Sequence, residues 1–549
     1  MNEIMKTRFL YLALLAVLMT ACAESFLKQE PQGGTYTEEQ YKALDDMIKG
    51  TTLGVYERFY VYGGDHDSFG KKAFDMYGDL LSGDMGMHTR NYGWFETDER
   101  GHTYQRAAYY WYHFYQIIRY CNRCLNMLDQ AGIKPSLEVP EDISDEEYET
   151  AYYYGELLAI RGYAYACLQR YFCRMPSEGV DYATELSVPI YTEEETKEGS
   201  TVIGMPRSTA DDVYLRIEDD LTTGIKFMEA YSDVIPTSKI EINADVAKLI
   251  LAYAYINRTD YQARSKADGE YYDKAYKLAK EVIDAQNYRI LPNDRLLTTG
   301  FANVDEDSWM WGEDVSIETS TSLASFFGQC DIHSYSYAWA GDIKGIDKTL
   351  YERIPAWDGR KHWWLDDKGY PAPDGNIKAY AWAPEGKFFS PKYKKAIEST
   401  DIDREWLCDI VYMRIEFAYM IAAEAALYKT VPDMNASAGY LDAIMSQRLD
   451  TAATAAADYA AYKATLNNET ALFDAIEYNW RVELWGEGYG LQTFRRLTRS
   501  KKLGDNHLRP DKEADYSTPR MYTFEIPSSE YTYNPYFRES QNPKELIKK

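Results

Sequence analysis

In TRNYGWFE, Thr89 to Glu96, four side chains of useful chemistry fall in one short stretch: Arg90, Asn91, Tyr92 and Trp94. Their types fit the non-covalent holding of a ring that has an apolar face and a hydroxylated rim. The aromatic faces supply platforms, and the guanidinium and amide supply hydrogen bonds to the rim. A sugar is such a ring. A second stretch, HSYSYAWAG, His333 to Gly341, offers Tyr337 and Trp339 as an opposing wall, with Tyr335 beside them. The chain has 51 tyrosines, so aromatic residues are common everywhere, and a second use stays open: Trp94 or Trp339 plugging its own loop onto a helical body. Trp363 and Trp364, in WDGRKHWW, are weaker candidates for contact. Trp309 and Trp311, in DSWMWGED, alternate as strand residues do and are read as core.

Covalent chemistry finds less support. Hydrolysis of a glycosidic bond needs two carboxylates about 5 to 9.5 Å apart. Among 87 acidic residues such a pair can form anywhere, and no motif singles one out. DHDSFG, Asp65 to Gly70, opens like a calcium loop, but Phe69 holds the third ligand position and Met76 the place of the bidentate glutamate. The seven histidines form no HExxH and no pair four residues apart. There is no GxSxG elbow and no phosphate-cradling GxxxxGK[ST]. The sequence calls for no catalytic residue, no metal and no cofactor.

The front of the chain is of another kind. FLYLALLAVLMTAC, Phe9 to Cys22, follows Lys6 and Arg8. An apolar run of about 13 residues is too short to span a bilayer and has the flanks of an export signal. Met19-Thr20-Ala21-Cys22 looks like a bacterial lipobox, whose cleavage leaves Cys22 as the acylated N-terminus. A plain secretory signal cut after Ala21 or Ala23 is the alternative. Residues 1–21 are therefore read as a lipoprotein signal peptide, 22–36 as the lipidated N-terminus and a polar tether, and 37–549 as the folded body. A formal charge of -27 argues against nucleic acid, because phosphate binding needs a basic surface. Seven cysteines less Cys22 leave six, which is no disulfide scaffold for 549 residues. Cys121 and Cys124, in CNRC, fall inside a helical pattern and are read as a core or locally bridged pair.

The elements that must position these residues are mostly helical. Tyr271, Ala275, Leu278 and Val282 form one apolar stripe. In the preceding NADVAKLILAYAYINR, Ala244, Ala247, Leu251 and Ala254 form a stripe of small side chains that admits a close neighbour, and Asn243 can cap its start. Two such helices joined by a short link resemble a tetratricopeptide-type pair. Helices are also expected over 104–128, 146–172, 211–230, 411–428, 436–448 and 471–497. The fold class is mainly α, with tetratricopeptide-like pairs as a scaffold. Two loop-rich insertions carrying short strands, at about 63–101 and 301–408, interrupt it and hold the aromatic clusters.

Several ordered motifs resemble the SusD/RagB family of outer-membrane nutrient-binding lipoproteins. In RVELWGEGYGLQTFRR, Arg481, Glu483, Leu484, Glu487, Gly488 and Arg496 look like its late arginine and glutamate signature, with Asn479 and Trp480 in place of the opening Glu-Arg and Thr493 where an aspartate is usual. Arg414 and Ala423-Glu424-Ala425 match the helix before it, although Phe417 stands where the family often has an acid. Ile526-Pro527, Glu530, Asn534-Pro535 and Gln541-Asn542-Pro543 follow in the order of family C-termini. Glu156, Arg161, Tyr165 and Val188-Pro189 agree earlier in the chain. The charged motif residues are read as internal ion pairs, with Arg414 or Arg481 expected to partner Glu424 on its apolar helix. The resemblance implies a lipid-anchored protein at the outer surface of a Gram-negative outer membrane. It would capture an oligosaccharide, or in some relatives a peptide, and deliver it to a SusC-like TonB-dependent transporter without catalysis. A surface glycoside hydrolase and a peptide-binding uptake lipoprotein are the alternatives.

Overall fold

A computed structural model describes residues 38–60, 66–95, 105–197, 199–233, 235, 238–333, 336–369, 380–388, 406–508, 522–537 and 541–542. The main elements in chain order are α1 (Glu38–Tyr60), α2 (Lys71–Ser82), β1 (Met85–Met87), α3 (Gln105–Gln130), α4 (Asp145–Phe172), α5 (Ala210–Ala230), α6 (Ala244–Asn257) and α7 (Lys266–Ala285). After them come β2 (Trp309–Glu313), β3 (Lys344–Ile346), β4 (Ile410–Arg414), α8 (Glu416–Tyr428), α9 (Met434–Met445), α10 (Ala455–Lys463) and α11 (Glu469–Glu483). The described body is mainly α, and its strands form only two antiparallel ribbons, β1–β3 and β2–β4.

Local chemistry starts these helices where the sequence marks them. Ser144, Thr209 and Ser265 each close a capping box, with Glu147, Asp212 and Asp268. Asn243 accepts from the Val246 amide as expected. Each helix from α3 to α7 then packs on the next. The α4–α5 contact is especially close, since a Cβ on Gly155 would sit 2.6 Å from Phe227 Cβ and 2.8 Å from the Gly224 carbonyl. Helix α7 goes on to pack against α8, far along the chain. Residues 301–408 therefore fall in sequence between two helices that touch.

Three expectations differ from the structure. Within 63–101, residues 71–82 are the helix α2 rather than loop. Its pattern was obscured because Lys71, Lys72 and Asp79 are buried charges that read as surface. Lys72 Nζ donates to the Gly486 carbonyl at 2.7 Å, and Asp79 accepts from the Gly488 and Gly490 amides at 3.0 and 2.8 Å. Residues 410–414 are the strand β4 rather than the start of a helix, since the β-branched Ile410 and Val411 pair with Glu313 and Gly312 of β2. The helix expected over 471–497 breaks after Glu483, where Gly486 and Gly488 take φ values of +76° and +88°.

The family-like charges lie inside. Arg360, Arg414 and Arg448 converge on Glu483, with Glu416 and Glu487 completing the cluster, and all six side chains are fully buried. Arg481 pairs with Asp84 at 2.8 Å and Glu477 at 2.6 Å. Neither Arg414 nor Arg481 reaches Glu424. Its partners are Arg496, the Trp480 indole at 2.9 Å and the Tyr272 hydroxyl at 3.5 Å. Trp480, which replaces the family's usual arginine, thus joins the network by a donor of its own. Asn479 accepts from Arg360 at 2.8 Å. Trp309 and Trp311 lie in β2 and are buried. Cys121 and Cys124 are buried free thiols, so this pair is core and not bridged.

Candidate functional site

The ribbon β1–β3 brings together the two stretches that carry the sequence's candidate contacts. Met85, Gly86 and Met87 pair with Ile346, Gly345 and Lys344. Pairing continues beyond the strands through His88, whose amide donates to the Ile343 carbonyl at 2.8 Å. The Thr89 hydroxyl then donates to the Gly341 carbonyl at 2.6 Å. Sequence positions some 250 residues apart thereby become opposite sides of one small platform.

Asp342 holds the platform's first side in shape. Its carboxylate is buried and accepts from three successive amides: Asn91, Tyr92 at 2.9 Å and Gly93 at 3.0 Å. Three N–H groups on one carboxylate fix a tight anionic nest, and Gly93 supplies the φ of +81° that the turn requires. Asn91 adds a side-chain bond to the Ala340 carbonyl at 2.7 Å. On the other side the Asp342 amide donates to the Tyr337 carbonyl at 2.8 Å. Both stretches are thus pinned through one residue.

This frame gathers the aromatics. Tyr92 is 57% exposed and meets Tyr337 edge to face with ring centroids 5.3 Å apart. Trp94 meets Tyr337 at 6.0 Å, also edge to face. His66 lies 5.2 Å from Trp94 and 5.0 Å from Tyr337. Trp94 and Tyr337 are half-buried, so part of each ring anchors the loops while Tyr92 projects. Edge-to-face contacts hold such rings rigid, which lowers the entropic cost of presenting a flat face to a ligand. Arg90 and Asn91 are exposed at the rim. Trp339 sits half-buried on the adjoining turn, where its carbonyl accepts from the Tyr380 hydroxyl at 3.1 Å.

Of the six candidates, Tyr92, Trp94 and Tyr337 share one aromatic cluster, with Arg90, Asn91 and Trp339 around it. Trp363 and Trp364 are buried in the core instead, Trp363 donating to Asn293 at 2.9 Å. Sequence reasoning missed His66 and Asp342. Asp342 carries no local signal, because its partners lie some 250 residues upstream. Cys22, the signal peptide, the tether, Asp65 and Tyr335 lie outside the described residues. Among the described residues no group of three or more side chains is placed to hold a metal ion. Also among them, no helix is long and apolar enough to cross a membrane.

Residues 27–256 match the SusD-like_3 family model, described as starch-binding and associating with the outer membrane. Solved structures match over most of the chain. A SusD-like carbohydrate binding protein from Bacteroides vulgatus ATCC 8482 is 20% identical, covers 90% of this chain and 97% of its own, and gives a TM-score of 0.66. A SusD superfamily protein from Bacteroides thetaiotaomicron VPI-5482 is also 20% identical, with 91% and 100% covered and a TM-score of 0.67. Surface glycan-binding protein A from Bacteroides uniformis is 16% identical, with 91% and 99% covered and a TM-score of 0.62. No curated protein matches. At these identities the solved structures establish the fold, a SusD-like one, and the family model adds a sequence likeness over residues 27–256.

Proposed function

We propose that this protein is a cell-surface lipoprotein that captures an oligosaccharide and delivers it, unhydrolysed, to a SusC-like TonB-dependent transporter of the outer membrane. The observation that carries the binding step is the cluster of Tyr92, Trp94 and Tyr337, held rigid by Asp342 and rimmed by Arg90 and Asn91. An exposed ring braced by Tyr337, which Trp94 backs in turn, is a platform for a sugar's C–H face, and the rim supplies polar groups for its hydroxyls. The buried carboxylates of the family signature are occupied by arginines, which leaves them no room to act on a glycosidic bond. Lipid attachment at Cys22 would tether the body beside the transporter, and mass spectrometry of the mature N-terminus reads it directly.

The test is a panel of oligosaccharides and peptides offered to the purified protein, with binding followed by calorimetry and products by chromatography. The expected result is saturable binding of a glycan with no product. Tyr92→Ala should weaken it about tenfold, the contribution of one stacked aromatic, with no change in thermal stability. Release of shortened glycan would overturn the reading in favour of a hydrolase, and binding of peptides alone would redirect it to peptide uptake. Gentle membrane extracts should yield the protein together with a large barrel, and its isolation alone would count against the transporter partnership.

A further inference from the structure

Away from the loops, a small cavity lies at the centre of the body, where α2, α4, α6, the β2–β4 ribbon and the turn after α11 meet. Its volume is about 30 Å³, roughly twice what one water needs. Aromatic rings form much of the wall, Tyr163, Trp311, Tyr412 and Phe417 among them. Polar atoms open onto it. The Asn257 side chain is 1% exposed and neighbours the Tyr253 hydroxyl, yet neither its Oδ1 nor its Nδ2 is in close hydrogen-bond geometry with another protein group, and the same is true of Trp311 Nε1 and Arg170 Nε. Buried polar groups left in that condition cost about 1–3 kcal/mol each unless something else satisfies them.

The charges that line the cavity show what would satisfy them. Asp75 is matched by Lys71 at 2.6 Å, and Glu487 by Arg414 and Lys387 at 3.0 and 2.9 Å. Arg170 is left over. Among the described residues no carboxylate comes within ion-pair distance of it, and its guanidinium instead donates to Cys167 Sγ at 2.8 Å and stacks over Tyr253 at 5.7 Å. A half-buried cation whose Nε is out of contact with solvent, lining the same cavity as two unsatisfied donors, Asn257 Nδ2 and Trp311 Nε1, favours negative charge. The volume admits only a very small group.

We propose that this cavity binds one small monovalent anion, carboxylate-sized or smaller, between Arg170 and Asn257. The anion neutralises Arg170 and ties the helical scaffold to the β2–β4 ribbon, so its binding reads out as stability rather than as glycan affinity. Two probes separate a carboxylate from a halide: formate and bromide. Crystals of the full chain are soaked in each, bromide being located by its anomalous scattering, and thermal unfolding is followed in each salt at equal ionic strength with gluconate, too large for the cavity, as the control. The expected result is density for formate or bromide within hydrogen-bonding reach of Arg170, and a saturable rise in melting temperature that gluconate does not give. Asn257→Leu should weaken the anion's effect about tenfold or more, the loss of a hydrogen bond to a charged group. Arg170→Gln should abolish it, and Asn257→Leu keeps the test decisive if that variant fails to fold. Water alone in the cavity in both soaks, or an unchanged anion response in Asn257→Leu, overturns the proposal.

Discussion

Asp342 shows how one residue can govern a surface it does not itself present. It is fully buried, and its carboxylate orders three amides of a turn whose exposed aromatic is Tyr92. Asp342→Ala removes the acceptors and leaves the turn free to take other shapes. The expected outcome is a loss of about 1–3 kcal/mol of stability, read by chemical denaturation, together with a fall in glycan affinity of about tenfold or more. Helical circular dichroism should be unchanged. Affinity equal to that of the unaltered protein would remove the platform from the binding site. Glu424 makes the opposite case. It takes no part in the platform, and it is the one carboxylate that Arg496 pairs with among the described residues, with the Trp480 indole and the Tyr272 hydroxyl also donating to it. Glu424→Ala strands a buried guanidinium and should cost about 3–5 kcal/mol, while the folded fraction keeps its glycan affinity.

At the scale of elements, the close seating of α4 on α5 depends on the absence of side chains at Gly155 and Gly224. A methyl group at either position meets the opposite backbone at 2.8 Å or less. Gly155→Ala should therefore push the two helices apart and cost about 1–3 kcal/mol, as overpacking does, with a matching fall in the denaturation midpoint. A midpoint at or above that of the unaltered protein would show that the pair relaxes freely. These long helices were legible in the sequence because caps such as Ser144 and Asn243 and an apolar stripe coincide within one window. Helix α2 was not, since its buried Lys72 and Asp79 are satisfied by residues some 400 positions away, Gly486 and Gly488. The candidate site divides the same way. Its aromatic members stood out by type and clustering within each stretch, whereas the ribbon that joins the two stretches, and Asp342 that locks them, exist only through long-range pairing.

For the whole molecule the telling quantity is the way acidity is distributed between surface and interior. Burial pushes the Asp79 and Glu313 carboxyls up to about 7, and also raises Asp45, Glu156, Glu241, Glu416, Glu424 and Glu530 from their ordinary values. Each of these holds its proton more tightly folded than unfolded, so its stabilising contribution is full below the unfolded pKa and is lost as pH rises through the folded one. Two histidines act in the other direction. Burial lowers His88 and His113 to about 3, so both favour the folded state less as pH falls below the ordinary histidine range. Eight groups against two, on a chain of formal charge -27 whose self-repulsion also eases with acid, decide the sign. Stability should rise as pH is lowered from about 8 to about 5. It should then fall below about pH 4, where Glu477, held down to about 2 after its burial is outweighed by Arg481 and Arg353, and the similarly lowered Glu483 and Glu487 begin to lose their pairing with arginine. Urea denaturation across this range measures the profile. Glu313→Gln keeps an acceptor for the Tyr412 hydroxyl, which donates at 3.0 Å, but cannot titrate. It should flatten the slope between about pH 5 and 7 and raise stability at pH 8. A slope unchanged by that substitution would mean that Glu313 already ionises freely in the folded protein, with water reaching it through the β2–β4 ribbon.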